Sequence, residues 1–152
     1  MSVTSVRRLL LAALLVVCVA APSSAGASVR HDRTEAKIIR ALNKVRASHG
    51  LPRLRVSRGL ARAADAHSRA MRRTNTLGHG DFLRRVRRYV RTRTVGENVA
   101  WMAGCRAQSI VDMWMGSAPH REVMLSRSFR QIGVGRRGSS RCFVTADFAS
   151  RR

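Results

Sequence analysis

The chain has 152 residues, and 30 Lys and Arg against 8 Asp and Glu give it a formal charge of +22 at pH 7. Such a field draws anionic partners: envelope polymers, acidic lipid surfaces or nucleic acid. The positive charges are nearly all arginines spread over every segment, with no lysine-rich tail and no aromatic-interleaved stripe. That pattern argues against dedicated nucleic-acid recognition and leaves two readings, solvated scattered arginines or attraction to anionic surfaces.

Residues 1–27 have the three-part layout of a secretory signal peptide. Arg7 and Arg8 lead into the apolar run Leu9 to Ala21, and Ala25-Gly26-Ala27 offers small residues for cleavage before Ser28, with cleavage after Ala25 as the alternative. The apolar run falls short of the roughly 20 residues that span a membrane, so no transmembrane span is expected after cleavage. Val17 before Cys18 is too bulky for a lipoprotein site, and Val6 with no following polar run spoils a twin-arginine signal. General secretion follows, with a secreted or envelope-associated product. Arg7 and Arg8 leave with the signal and no acid does, so +22 becomes +20. The remaining 28–152 suit one domain with one core.

Residues 28–34 read as a short polar lead-in. Ile38, Leu42, Val45 and His49 then share one helical face, with Arg40, Lys44 and Arg46 off it. Asp32 or Thr34 can cap this helix, and Gly50 with Pro52 ends it. Leu51 to Leu54 is a connector. Ser57 caps a second helix that buries Leu60, Ala63, Ala64, His67 and Met71. Thr74 to Gly80 has turn chemistry, and Asp81 to Val90 forms a third, basic helix. A fourth covers Gln108 to Met115, burying Ile110, Val111 and Trp114, and Ser117-Ala118-Pro119 breaks it. Gln131 to Gly135 and Cys142 to Phe148 alternate as strands of a hairpin around the polar turn Arg136 to Arg141, and Val95 to Trp101 supplies a third strand. Helices followed by a small antiparallel sheet make an α+β domain. Cys105 and Cys142 remain after export; an even count in an oxidising compartment favours a disulfide, and no Cys-x-x-Cys supports a metal instead.

The ordered motifs Leu42-Asn43-x-x-Arg46, Gly50-Leu51-x-x-Leu54, His79, Gly96-Glu97-Asn98-Val99-Ala100, Trp114-x-x-Ser117-x-x-His120-Arg121 and Phe129-x-x-Ile132-Gly133-Val134-Gly135 resemble the CAP superfamily of cysteine-rich secretory, antigen 5 and pathogenesis-related proteins, in its compact bacterial secreted form. The resemblance covers residues 35–150. It implies a three-layer α-β-α sandwich with a small three-stranded antiparallel sheet and a cleft carrying two histidines and two glutamates. His79, Glu97 and His120 match three of these. Ser117 stands where the second glutamate is usual, and Val123 where an asparagine is. Glu122, two residues after His120, is the nearest substitute acid. Some eukaryotic members bind sterol or lipid.

His79 and His120 are too far apart in sequence for a local metal motif, so only the fold can join them. Two neutral imidazoles would make a modest site for zinc or a similar divalent ion, with Glu97 as a third ligand or as the acceptor that fixes a tautomer. The other reading gives each histidine a hydrogen bond and no metal, and it is preferred for His49 and His67. Ser117 three residues before His120, with Glu97 as orienter, raises a hydrolase. Without a nucleophile elbow, Ser117 reads better as a cap or turn residue, and no residue is assigned a catalytic role. Trp101 is a candidate cleft residue and Trp114 a core one. The expected function is a non-enzymatic secreted module that binds a ligand or partner, lipid among the candidates, through the His79/Glu97/Ser117/His120 cleft. The alternative is electrostatic adhesion to anionic envelope polymers or membranes.

Overall fold

A computed structural model describes residues 32–151. The signal-peptide reading and most of the lead-in lie outside the described residues. Helix α1 (Arg33–Ser48) opens on a reciprocal cap: Asp32 accepts from the Thr34 and Glu35 amides, and Glu35 accepts from the Asp32 amide. Ile38, Ile39 and Leu42 enter the core. Arg46, expected off the buried face, is in fact fully buried. Its guanidinium donates to the carbonyls of Pro52, Met124 and Ser126 at 3.1, 2.7 and 3.0 Å, so backbone oxygens replace the water it loses. His49, expected on the apolar face, is exposed at the helix end, where its ring meets the Val45 carbonyl. The buried stripe thus turns toward Arg46 in the last turn, where α1 closes on the connector. Asn43 fixes that connector through paired bonds to Leu54.

Strand β1 (Arg55–Val56) leads into helix α2 (Arg58–Thr74), capped by Ser57 as expected. Leu60, Ala63, Ala64, His67 and Met71 are all buried. Helix α3 (Phe82–Arg87) is shorter than anticipated; Tyr89 and Val90 leave the helix to pack against the start of α2. After β2 (Val95–Ala103) comes α4 (Ala107–Gly116). The break at Ser117 is present, but a helix the sequence does not suggest, α5 (Ala118–Leu125), starts immediately after it. Pro119 sits in its first turn, where a missing amide hydrogen costs nothing. The hairpin β3 (Gln131–Arg137) and β4 (Arg141–Ala149) follows, with Gly138 at φ 88° in its turn.

The sheet has four strands in the order β1-β3-β4-β2, not three. β2, β4 and β3 are antiparallel, and the extra member is the two-residue β1, parallel to β3 at the edge. A strand that short carries no alternation to read. One sheet face, with Ile132, Val134, Val144, Ala146 and Phe148, joins α1, α4 and α5 in the main core. The other receives α2 directly on backbone: a Cβ at Gly133 would lie 2.1 Å from the Ala61 nitrogen, and one at Gly135 2.3 Å from the Asp65 nitrogen. The three layers are therefore α2 with α3, the sheet, and α1 with α4 and α5. Cys105 and Cys142 form a disulfide, Cα–Cα 5.5 Å, tying the loop before α4 to the start of β4.

Candidate functional site

The segment Gly96-Glu97-Asn98 sends three side-chain positions to three tasks, because strand neighbours point to opposite faces. Gly96 lets the Phe129 ring approach within 2.7 Å of where a Cβ would stand. Asn98 points the same way and donates to the His120 carbonyl at 3.0 Å, fastening α5 to β2. Glu97 points to the α2 and α3 side, buried, and pairs in register with Asp147 of β4.

Glu97 meets two partners. Its Oε1 lies 2.7 Å from His79 Nδ1, and its Oε2 accepts from Arg85 Nη2. The same Nη2 is 3.5 Å from Asp147, while Arg85 Nη1 holds the His79 carbonyl at 3.1 Å. Arg85 thus fixes both the acid and the loop that carries the histidine. His67 supports that loop from below, its Nε2 2.7 Å from the Gly78 carbonyl. Burial first, then the charge of Arg85, lowers the proton affinity of His67 and keeps the ring neutral.

Burial pushes the Glu97 carboxyl up to about 7, with Arg85 pulling it back. Asp147, wholly enclosed, is raised well above the usual carboxylate range by burial and then by the Glu97 charge. Neither Asp147 oxygen accepts a hydrogen bond from a described donor. The pair closes when Asp147 keeps its proton and donates to Glu97, leaving Glu97 as the anion that faces Arg85 and His79. With Glu97 ionised, His79 donates to it from Nδ1, and Nε2 of the half-exposed ring makes no hydrogen bond among the described residues.

His120 lies at the start of α5 with Nδ1 2.9 Å from Ser117 Oγ. Burial, and then repulsion from His79 when that ring is protonated, lower its proton affinity, so the two histidines share one electrostatic neighbourhood and His120 stays neutral at pH 7. Ser117 occupies the backbone cap position between α4 and α5, yet its side chain makes no capping bond. Ser117 is thus the turn residue between the two helices, and its hydroxyl bonds the His120 ring in place of a capping amide. Glu97 orients His79 and not His120, so Ser117, His120 and Glu97 do not line up as a triad. Glu122 is exposed and makes no hydrogen bond or ion pair among the described residues, so it does not replace the missing acid. Trp114 is core, donating to the Val99 carbonyl at 3.1 Å. Trp101 is exposed under the Arg141 guanidinium, 4.6 Å from its ring centre, and away from the histidines.

No three His, Cys, Asp or Glu side chains among the described residues are grouped to hold a metal ion. With Glu97 committed to Arg85 and His79, the free donors are the Nε2 atoms of His79 and His120. Two imidazoles fit a weakly held, exchangeable divalent ion and fall short of the three protein ligands of a catalytic zinc. Arg85 and Asp147 do not stand out in the sequence as site residues. Arg85 is one arginine among many; Asp147, a lone acid inside the apolar strand Cys142 to Phe148, is the available signal.

Residues 39–148 match the model of the cysteine-rich secretory protein (CAP) family. The chain belongs to that family. Among curated relatives, the uncharacterized Bacillus subtilis protein YkwD is 31% identical over 121 residues, 76% of this chain and 44% of its own length. This CAP chain spans less than half the length of the curated relatives it matches. An extracellular SCP-domain protein of Bacillus anthracis superposes with TM-score 0.72 at 27% identity, over 78% of this chain and 40% of its own. An outer surface protein of Borrelia burgdorferi shares the fold at TM-score 0.73 and 18% identity, over 82% of this chain and 97% of its own. These neighbours are extracellular or outer-surface proteins, and no described helix is long and apolar enough to cross a membrane.

Proposed function

We propose that residues 1–27 export this CAP domain and that it acts outside the cell as a non-enzymatic binding module, taking a ligand or partner at the cleft of His79, Glu97, Ser117 and His120. The observation that carries this reading is the buried Glu97 on His79 Nδ1, which orients that half-exposed ring and leaves its Nε2 free among the described residues, in the electrostatic neighbourhood of His120. A ligand group that donates a hydrogen bond, or a divalent ion, suits two such nitrogens. Zinc is the probe that tests it. Calorimetric titration of the purified protein should give weak binding that is lost in the His79→Ala, His120→Ala double variant. Equal heats from both forms would remove the two histidines as a joint site. Turnover is a separate question: equal inactivity of wild type and Ser117→Ala on a panel of esters and peptides is the expected result.

The second reading is adhesion to anionic envelope polymers or lipids. It is favoured by the many exposed arginines that have no acidic partner among the described residues, since the recorded ion pairs engage only Arg69, Arg85, Arg136 and Arg137. Binding of this kind weakens steeply with salt and is indifferent to His79→Ala.

A further inference from the structure

Two hollows lie at the β1 edge of the sheet, and no histidine among the described residues lines either. Their volumes are about 610 and 510 Å³, and they lie side by side at Arg151, which lines both, as two halves of one basic groove. Six arginines line it, Arg53, Arg55, Arg62, Arg91, Arg130 and Arg151, and no acidic residue does. Arg53, Arg55, Arg62, Arg91 and Arg151 are exposed and make no side-chain hydrogen bond or ion pair among the described residues. Like charges around one concavity repel, and no acidic side chain among the described residues of the lining offsets them.

The groove is built and not incidental. Its wall is the chain at Tyr89 and Val90, drawn so close to α2 that a Cβ at Gly59 would stand 2.6 Å from the Tyr89 carbonyl oxygen. Ser57 and Gln131 add uncharged polar groups to the lining. Guanidinium forks match tetrahedral oxyanions with two parallel bonds, which an ammonium cannot do. A flat bilayer would touch the rim of such a hollow and leave its floor empty. A narrow chain can enter it.

We infer that this groove is a binding site for a linear polyanion with phosphate in every repeat and no nucleobases, running past the six arginines. The inference rests on the adhesion reading and narrows it from a diffuse charge to one named track.

Long-chain inorganic polyphosphate is the probe, with the full chain and with binding followed by fluorescence anisotropy across a salt series. The groove variant Arg53→Gln, Arg62→Gln, Arg91→Gln is compared with a control of equal charge loss on α1, Arg33→Gln, Arg40→Gln, Lys44→Gln. Each phosphate contact contributes roughly 0.7–0.9 to the slope of log K against log salt, so the groove variant should lose about 2 from that slope and about tenfold or more in affinity, with the control nearly unchanged. Replacing the three groove arginines by lysine should restore the slope but not the full affinity. Equal losses in groove and control variants would overturn the groove while leaving diffuse adhesion standing. Salt-insensitive binding of polyphosphate by every form would remove both. Groove-dependent binding that is tighter for anionic vesicles or single-stranded DNA than for polyphosphate would overturn the occupant. Matching thermal melts of all variants establish that the losses are not unfolding.

Discussion

Glu97 and Asp147 stand opposite each other on β2 and β4, both buried, with Arg85 Nη2 reaching toward both carboxyls. Two acids and one guanidinium in a closed space can hold only one negative charge cheaply, so a proton stays on Asp147 and the charge on Glu97. His79 inherits its orientation from that arrangement. The histidine that faces the solvent is therefore set by an acid that no ligand needs to touch.

A pH dependence follows from the sign of the Glu97 shift. Its ordinary value of 4.5 rises to about 7 in the fold, so below that pH Glu97 takes up a proton as well as Asp147, one that the unfolded chain has released. The corresponding stability is present at low pH and declines as pH rises from 4.5 through 7. Asp147, raised well above the usual carboxylate range, and Glu35, raised to about 7, both by burial, act in the same direction, while the lowered His67 and His120 oppose it below their ordinary value. Urea denaturation of wild type and Glu97→Gln between pH 4.5 and 8 tests the pair, since the substitution removes the Glu97 titration and also the charge that helps to raise Asp147. The variant should lose stability with rising pH less steeply; parallel curves would refute the shared-proton arrangement.

Arg46 gives a prediction about the scaffold. Its guanidinium satisfies carbonyls at and beyond the end of α5, 78 to 83 residues away in sequence. Arg46→Ala leaves those oxygens buried and unmatched, at a cost of about 3 kcal/mol. Arg46→Lys should recover only part of this, because one ammonium cannot span the same carbonyls. Equilibrium denaturation measures both.

These two sites show what is legible in the sequence and what is not. The stripe of α2, the cap at Ser57, the hairpin and the order of His79, Glu97 and His120 can be read because each depends on local period or on a matched motif. Arg46 escapes such a reading because its partners come from a distant segment that no helical wheel contains. Asp147 and Arg85 escape it for the same reason, since only the β2–β4 register brings the acid to Glu97. Helix α5 is hidden because Pro119 follows the end of one helix and begins the next, and a proline reads as a break in either case.

The disulfide closes a loop with a sequence separation of 37 between Cys105 and Cys142. Its removal widens the unfolded ensemble and should cost about 4 kcal/mol on the chain-entropy estimate. Denaturation with and without a phosphine reductant tests this, and the Cys105→Ser, Cys142→Ser double variant serves as the reduced reference. Unchanged midpoints after complete reduction would mean that the link constrains nothing the fold does not already hold.

Gly133 and Gly135 set the distance between α2 and the sheet. Both lie on the face of β3 opposite Ile132 and Val134, and a methyl at Gly133 would stand 2.1 Å from backbone atoms of Leu60 and Ala61. Backbone cannot rotate away as a side chain would, so Gly133→Ala must push the whole start of α2 outward. Overpacking of this kind costs about 1–3 kcal/mol or more, and the displaced helix also carries His67, the support beneath Gly78 and His79. The variant should therefore lose both thermal stability and zinc binding. Gly116→Ala, at a position with open space around its would-be Cβ, should change neither. If Gly133→Ala melted at the wild-type temperature, the direct seating of α2 on β3 would be wrong, and with it the path by which the sheet positions His79.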